Sequence, residues 1–254
     1  MAGAFYPADP ARLRREVEEL LAAASPVEAA APLALIVPHA GYAYSGPVAA
    51  TAYAHLAGTR PEARRVLLVG PSHFAWFEGM ALPGAEALAT PLGAVPIDAA
   101  AEDRAGRHPG VAESPEAHAR EHSLEVQLPF LQVALPGSAV VALLCGQTAA
   151  KQVAAVILEF LGEAGTVVVV SSDLSHYLPY EEACRRDEET ARAIARLAPE
   201  ALDQDSACGL VGVQALLLAA REQGLAASRL DLRNSGDTAG DRRRVVGYGA
   251  FGFA

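Results

Sequence analysis

Cysteine is scarce in this 254-residue chain: Cys145, Cys184 and Cys208 form an odd set without framework spacing. That excludes a disulfide scaffold and points to a reduced, cytoplasmic setting. Basic residues are outnumbered, 20 Lys and Arg against 30 Asp and Glu, giving a formal net charge of −10. Sequence-independent binding to nucleic acid or anionic lipid draws on many Lys/Arg contacts, so neither partner is expected. The one dense basic spot, Arg242-Arg243-Arg244, has Asp237 and Asp241 beside it and reads as a solvated turn. Long hydrophobic runs are missing too. Stretches such as Ala139 to Cys145 are far too short to span a bilayer, and the N-terminus has no basic and apolar leader, so no membrane role is implied. Walker A, H-E-x-x-H, paired C-x-x-C and G-x-S-x-G patterns are also absent. Gly247 to Gly252 matches G-x-G-x-x-G by letter only, because no helix follows to receive a pyrophosphate.

What is present is a chain rich in apolar residues, 52% hydrophobic and 20% charged, which can bury a full core. Without repeats, linkers or a composition break, a single domain over residues 1–254 is the economical reading. Asp9-Pro10 reads as a helix start, with Leu13, Val17, Leu20, Leu21 and Ala24 on one face. Leu33–Val37, Arg65–Gly70, Ser138–Leu144 and Thr166–Val170 are short apolar runs of the kind that form strands buried on both faces. Helices are expected at Pro47–Leu56, Asp98–Gly106, Glu121–Leu135 with a bend at Pro129, after a capping Thr148, at Pro179–Leu197 and at Leu210–Gln223. Gly79–Pro96 reads as a β excursion, and residues 103–120 and 234–244 as polar loops. Arg229–Arg233 and Val245–Phe253 read as an antiparallel pair at or near a sheet edge. The sum is a three-layer α/β/α sandwich around a mixed, mainly parallel sheet.

In open α/β sheets ligands bind beyond the carboxyl ends of the strands. His39 follows the first apolar run, His73 the second, and Asp173 with His176 the strongest. Two imidazoles plus one further ligand, with open positions, form a set suited to Fe(II). Cys208 is the first choice for the third ligand, since a helix N-terminus just after it favours a thiolate, with Asp205 or Ser206 capping that helix; Cys145 at the end of its own strand is the competitor. Asp173 and His176 suit an acid/base pair in which one orients the other, although Asp173 also reads as a plain helix cap. His122, beside Glu121 and Glu125, either enters the cavity or is structural. Tyr42, Tyr44 and Tyr177 line a pocket or pack with satisfied hydroxyls. His55, His108 and His118 have no functional surroundings.

Several phrases carry a resemblance that runs from residue 2 to residue 253: AGAFYP (2–7), PHAGYAYSG (38–46), GPSH (70–73), EHSLEVQLPFLQ (121–132), SSDLSHY (171–177), NSGD (234–237) and VGYGAFGF (246–253). In this order they resemble the Memo family, called in prokaryotes AmmeMemoRadiSam system protein B. The resemblance implies a fold similar to the LigB-like class III extradiol dioxygenases, with cysteine where those enzymes have a carboxylate ligand. It places the metal ligands at His39, His73 and Cys208, and an acid/base histidine at His176 next to Asp173. Iron is the expected metal, and because a thiolate ligand is softer than a carboxylate, copper or zinc are the alternatives. The family name further implies two partners, an AMMECR-type protein and a radical S-adenosylmethionine enzyme. Three functions follow as expectations: a metal-dependent oxidoreductase acting on a small-molecule substrate, a non-catalytic peptide- or protein-binding scaffold, and a zinc hydrolase.

Overall fold

Asp9 caps the first helix by accepting a hydrogen bond from the Arg12 amide at 2.8 Å, with Pro10 at the first helical position. From there the computed structural model describes residues 1–254. In chain order the elements are α1 (Pro10–Ala23), β1 (Ala34–Val37), α2 (Tyr42–Thr59), β2 (Arg65–Pro71), β3 (Met80–Leu82), β4 (Ala87–Thr90), β5 (Gly93–Pro96) and α3 (Ala99–Ala105). There follow β6 (Val111–Glu113), α4 (Pro115–His118), α5 (Leu128–Ala134), β7 (Ala139–Cys145), α6 (Ala150–Phe160), β8 (Thr166–Ser171), β9 (His176–Leu178) and α7 (Tyr180–Ala195). The chain closes with α8 (Leu210–Gln223), β10 (Ala227–Asn234), α9 (Ser235–Thr238) and β11 (Val245–Phe253).

The main sheet runs β10-β11-β1-β8-β2-β7-β3-β6, with β9 added to β11; β4 and β5 form a separate hairpin. Its centre, β1-β8-β2-β7, is parallel throughout, whereas β11 is antiparallel to both β1 and β10, which forms the edge. Strands covered on both faces need apolar residues at every position, and β1 and β8 are buried at every residue. Alternate residues feed two cores. Ile36, Val168 and Val170 join α3, α6, α7 and α8 on one face, while Leu35, Val37, Val167 and Val169 join α1, α2 and α5 on the other. This is the expected three-layer α/β/α sandwich around a mixed, mainly parallel sheet.

Boundaries depart from the sequence reading where proline or a side chain changes the local bookkeeping. Helix α2 begins at Tyr42, five residues before Pro47, and only the carbonyl of the exposed Ala43 loses a helical donor there. The expected helix from Glu121 is a turn and a 3₁₀ stretch (Glu125–Gln127); α5 starts at Leu128, so Pro129 lies in its first turn and bends nothing. Thr148 does not cap α6. The Gln152 carboxamide oxygen does so instead, accepting from the Ala149 amide and the Thr148 hydroxyl. The polar segment 103–120 holds β6 and α4, and 234–244 holds α9. Gly247 explains part of the false G-x-G-x-x-G pattern: a Cβ there would overlap the buried Asp187 carboxylate, which accepts the Ser175 amide at 3.0 Å. That close approach ties the segment after β8 to β11, with Gly247 donating to the Ser175 carbonyl.

Candidate metal centre

Sheet order brings the strand-end residues together. Because β8 lies between β1 and β2, the segments after β1 and β2 rise on either side of the β8 terminus. Ligand atoms of His39, His73 and Cys208 all lie within 4.8 Å of one another, a group that could hold a metal ion. A second group, His73, Glu121 and His122, meets the same limit and shares His73.

The buried His39 ring is fixed by a hub at Ser171. The Ser171 hydroxyl donates to the Ser123 carbonyl at 2.6 Å and accepts from Gln127 Nε2 at 2.8 Å. Its remaining lone pair faces His39 Nδ1 at 2.9 Å, so Nδ1 carries the hydrogen. His39 Nε2 therefore keeps its lone pair, and it faces Cys208 Sγ at 3.2 Å. Gln127 cannot flip to upset this arrangement: its amide also donates to the Pro38 carbonyl while its oxygen accepts from Tyr53. Burial first, and then the neighbouring His73 and His122, hold His39 well below the usual imidazole range, so it is neutral.

Glu121 does for His73 what Ser171 does for His39. Its carboxylate accepts from His73 Nδ1 at 2.9 Å and the His73 amide at 2.6 Å, and from the amides of His122 and Ser123 at 2.9 and 2.8 Å. Burial pushes this carboxyl up, but those donors outweigh it and hold it at about 2. An ionised carboxylate only accepts, so His73 also carries its hydrogen on Nδ1 and leaves Nε2 free. Such a carboxylate behind a histidine is a recurring support for metal ligands. His122 stacks between Phe5 and His73, with ring centroids 4.6 and 4.5 Å away. Its Nδ1, 3.3 Å from Glu121, is buried without a hydrogen-bond partner.

Cys208 is carried by the loop before α8. Neither Asp205 nor Ser206 caps that helix; its N-cap is Gly209, and Ser206 with Asp203 closes the preceding turn. The loop is sewn to the segment just after β8: Cys208 donates its amide to the Asp173 carbonyl, and Gly209 to Ser172 Oγ at 2.9 Å. A Cβ on Gly209 would collide with Ser171 and Ser172, so glycine permits the approach that delivers Sγ. Burial, then the Asp173 charge, pushes the thiol up to about 12, against donation from the Asp173 amide at 3.2 Å. A cation among the three ligand atoms reverses that balance, because a coordinating thiol is deprotonated. Two neutral imidazoles with free Nε2 atoms and one thiol thus fit a transition-metal ion.

The other candidates disperse. Asp173 is not a helix cap, since a loop and β9 follow it, and it makes no hydrogen bond to His176. Its carboxylate accepts the His39 amide at 2.7 Å, and burial raises it to about 6. His176 is exposed, with Nδ1 donating to the Leu174 carbonyl at 2.8 Å, and lines a cleft of about 940 Å³ with His73 and Cys208. Tyr42 is in the core, its hydroxyl donating to the Val126 carbonyl, whereas Tyr44 and Tyr177 are exposed beside the cleft. Cys145 is buried and outside both ligand groups. His55 and His118 bond to main-chain carbonyls and His108 to Glu159. Sequence reasoning missed Ser171 and Gln127; the one signal available was a glutamine between the apolar Val126 and Leu128.

A mixed, mainly parallel sheet between two helical layers, with a His-His-Cys group beyond its strand ends, defines a three-layer α/β/α protein carrying a candidate metal centre. The fold is similar to that in the crystal structure of an uncharacterized protein, JW3007, from Escherichia coli K12 (TM-score 0.56, 15% identity, 86% of this chain and 98% of that one). The family profile described as "Memo-like protein" matches residues 1–251, and the chain belongs to that family. Similar relatives are described as "MEMO1 family protein": one from Aquifex aeolicus at 36% identity over 98% of this chain and 95% of that protein. Another, from Ignicoccus hospitalis, is 36% identical over 100% and 96%; a third, from Caldivirga maquilingensis, is 38% identical over 87% and 83%.

Proposed function

We propose that this Memo-family chain is a metal-dependent oxidoreductase acting on a small molecule, with His39, His73 and Cys208 holding iron, or copper in its place. The observation that carries the reading is tautomer control: Ser171 and Glu121 independently fix Nδ1–H on both histidines, leaving Nε2 free on each. A bound Fe(II) ion supplies one-electron chemistry and open positions for exogenous ligands. His176, its Nδ1–H held by Leu174, offers Nε2 at the cleft as a general base and passes the proton to solvent. Asp173 acts as a positioning residue, holding the turn after β1 through the His39 amide. Zinc with water activation is the weaker variant of the same site. The AMMECR-type protein and the radical S-adenosylmethionine enzyme are proposed partners on the family likeness alone. Three free thiols suit a cytoplasmic compartment, and no helix is long and apolar enough to cross a membrane.

One observation favours the second reading, a peptide- or protein-binding scaffold: Phe74 and Trp76, 56% and 77% exposed, stand on the loop next to His73. The deciding experiment is elemental mass spectrometry of protein purified without oxygen, with a nitric oxide adduct spectrum on the same sample. Near-stoichiometric iron with a high-spin nitrosyl signal is expected, together with loss of metal but not fold in His39→Ala and His73→Ala. Retention of metal in both variants overturns the ligand assignment. No uptake after incubation with iron, copper and zinc favours the scaffold.

A further inference from the structure

An open recess of about 710 Å³, lined by Ala40, Tyr44, Tyr177, Arg243, Arg244 and Tyr248 among others, lies beside the cleft of His73, His176 and Cys208. Tyr177 lines both spaces and is their common wall. The two differ in charge. The cleft carries Glu182, Glu189, Asp203 and Asp205 against Arg185 and Arg186, so it disfavours an anion. In the recess the charged groups are Asp241, Arg243 and Arg244, and Arg243 is engaged by Asp241 through two guanidinium contacts of 3.2 and 2.7 Å. Arg244 is left without an ion pair or a side-chain hydrogen bond, its guanidinium 5.2 Å from the Tyr177 ring centroid. With no carboxylate partner, Arg244 is free to take an incoming anion, whereas Arg243 beside it is held by Asp241. The Tyr44 and Tyr177 side chains, 44% and 62% exposed, make no hydrogen bond through their hydroxyls, so two further donors border the recess. Tyr177 also holds φ at 60°, a left-handed conformation shared among non-glycine residues only with Leu197. Such strain persists where the surroundings over-determine it, as at binding sites.

We propose that this recess is an oxyanion subsite, in which Arg244 and the Tyr44 and Tyr177 hydroxyls hold the carboxylate or phosphate of a small molecule whose other end lies in the adjoining cleft. Planar guanidinium forks suit either group. That the occupant is the substrate rests on the metal-centre reading; the subsite does not. The test is titration of metal-free protein with benzoate and with phenyl phosphate, against neutral benzamide, followed by the NMR signals of the Arg244 side chain and the tyrosine rings. Saturable binding of an oxyanion is expected, weakened roughly tenfold or more in Arg244→Gln, with benzamide failing to bind. Preference for benzoate identifies a carboxylate and preference for phenyl phosphate a phosphate; either sustains the subsite. Equal binding of benzamide, unchanged affinity in Arg244→Gln, or no saturable binding overturns it. Arg244 is on the surface, and an unchanged melting temperature confirms that the variant is folded. A chain that takes up no metal overturns the metal reading alone, because these titrations are made without metal.

Discussion

Ser171 is the residue on which the candidate centre turns, since one hydroxyl settles the tautomer of His39 and the orientation of Gln127. Replacing it by alanine leaves a buried His39 N–H and a Gln127 N–H without acceptors. Ser171→Ala should cost about 2–3 kcal/mol of stability in urea unfolding. It should also weaken metal binding about 10–100-fold in a competition titration, the range seen when a ligand's hydrogen-bonded support is removed. Equal affinity in a less stable variant would show that the tautomer is set elsewhere. His39 and His73 were legible in the sequence because each follows an apolar run. Ser171 was not, because a serine at a strand end reads the same whether it caps, turns or supports a ligand. Asp173 was misread for a related reason: its bonds go back to the turn after β1, a contact no local pattern encodes.

At the scale of elements, α3 shows capping and charge meeting on one side chain. Asp98 accepts the Ala101 amide at 3.1 Å and pairs with Arg65 Nε at 2.6 Å. Burial raises this carboxyl, but the Arg65 hydrogen bond and the Ala101 amide outweigh it and leave it below its ordinary value. A depressed carboxyl stabilises the fold above its unfolded value, 3.8, and that contribution is lost as pH falls through the folded value. Asp98→Asn keeps a capping oxygen and removes the charge. It should therefore cost about 0.5–1 kcal/mol at neutral pH, the pair being part-exposed, with the gap to wild type narrowing toward pH 3 in urea unfolding. Element types were largely legible, since α8 and β11 have the bounds read from the sequence. Two of the misses fell where proline sits inside a first or second turn, at Pro47 and Pro129, because its preference for helix starts does not say which turn it occupies.

For the whole molecule, metal and fold are linked by mass action. The three ligand atoms come from segments after β1, after β2 and before α8, so an unfolded chain does not present the set. At about 100 times its dissociation constant, a bound ion should stabilise the folded chain by about 2.7 kcal/mol. For a protein of this size that raises the melting temperature by roughly 5–10 °C in anaerobic scanning calorimetry, and His73→Ala should show no such shift. Sheet order was not legible, because apolar runs announce strands without announcing neighbours; only the structure places β8 between β1 and β2.

The placement of β11 bears on how the chain folds. Residues 34–36 receive one of their two neighbouring strands from residues 251–253, far along the sequence. Until β11 docks, β1 presents a bare apolar edge, and the tether between Gly247 and the segment after β8 is unmade. Closure of so distant a pairing slows folding and leaves the chain dependent on protection from aggregation until β11 is in place.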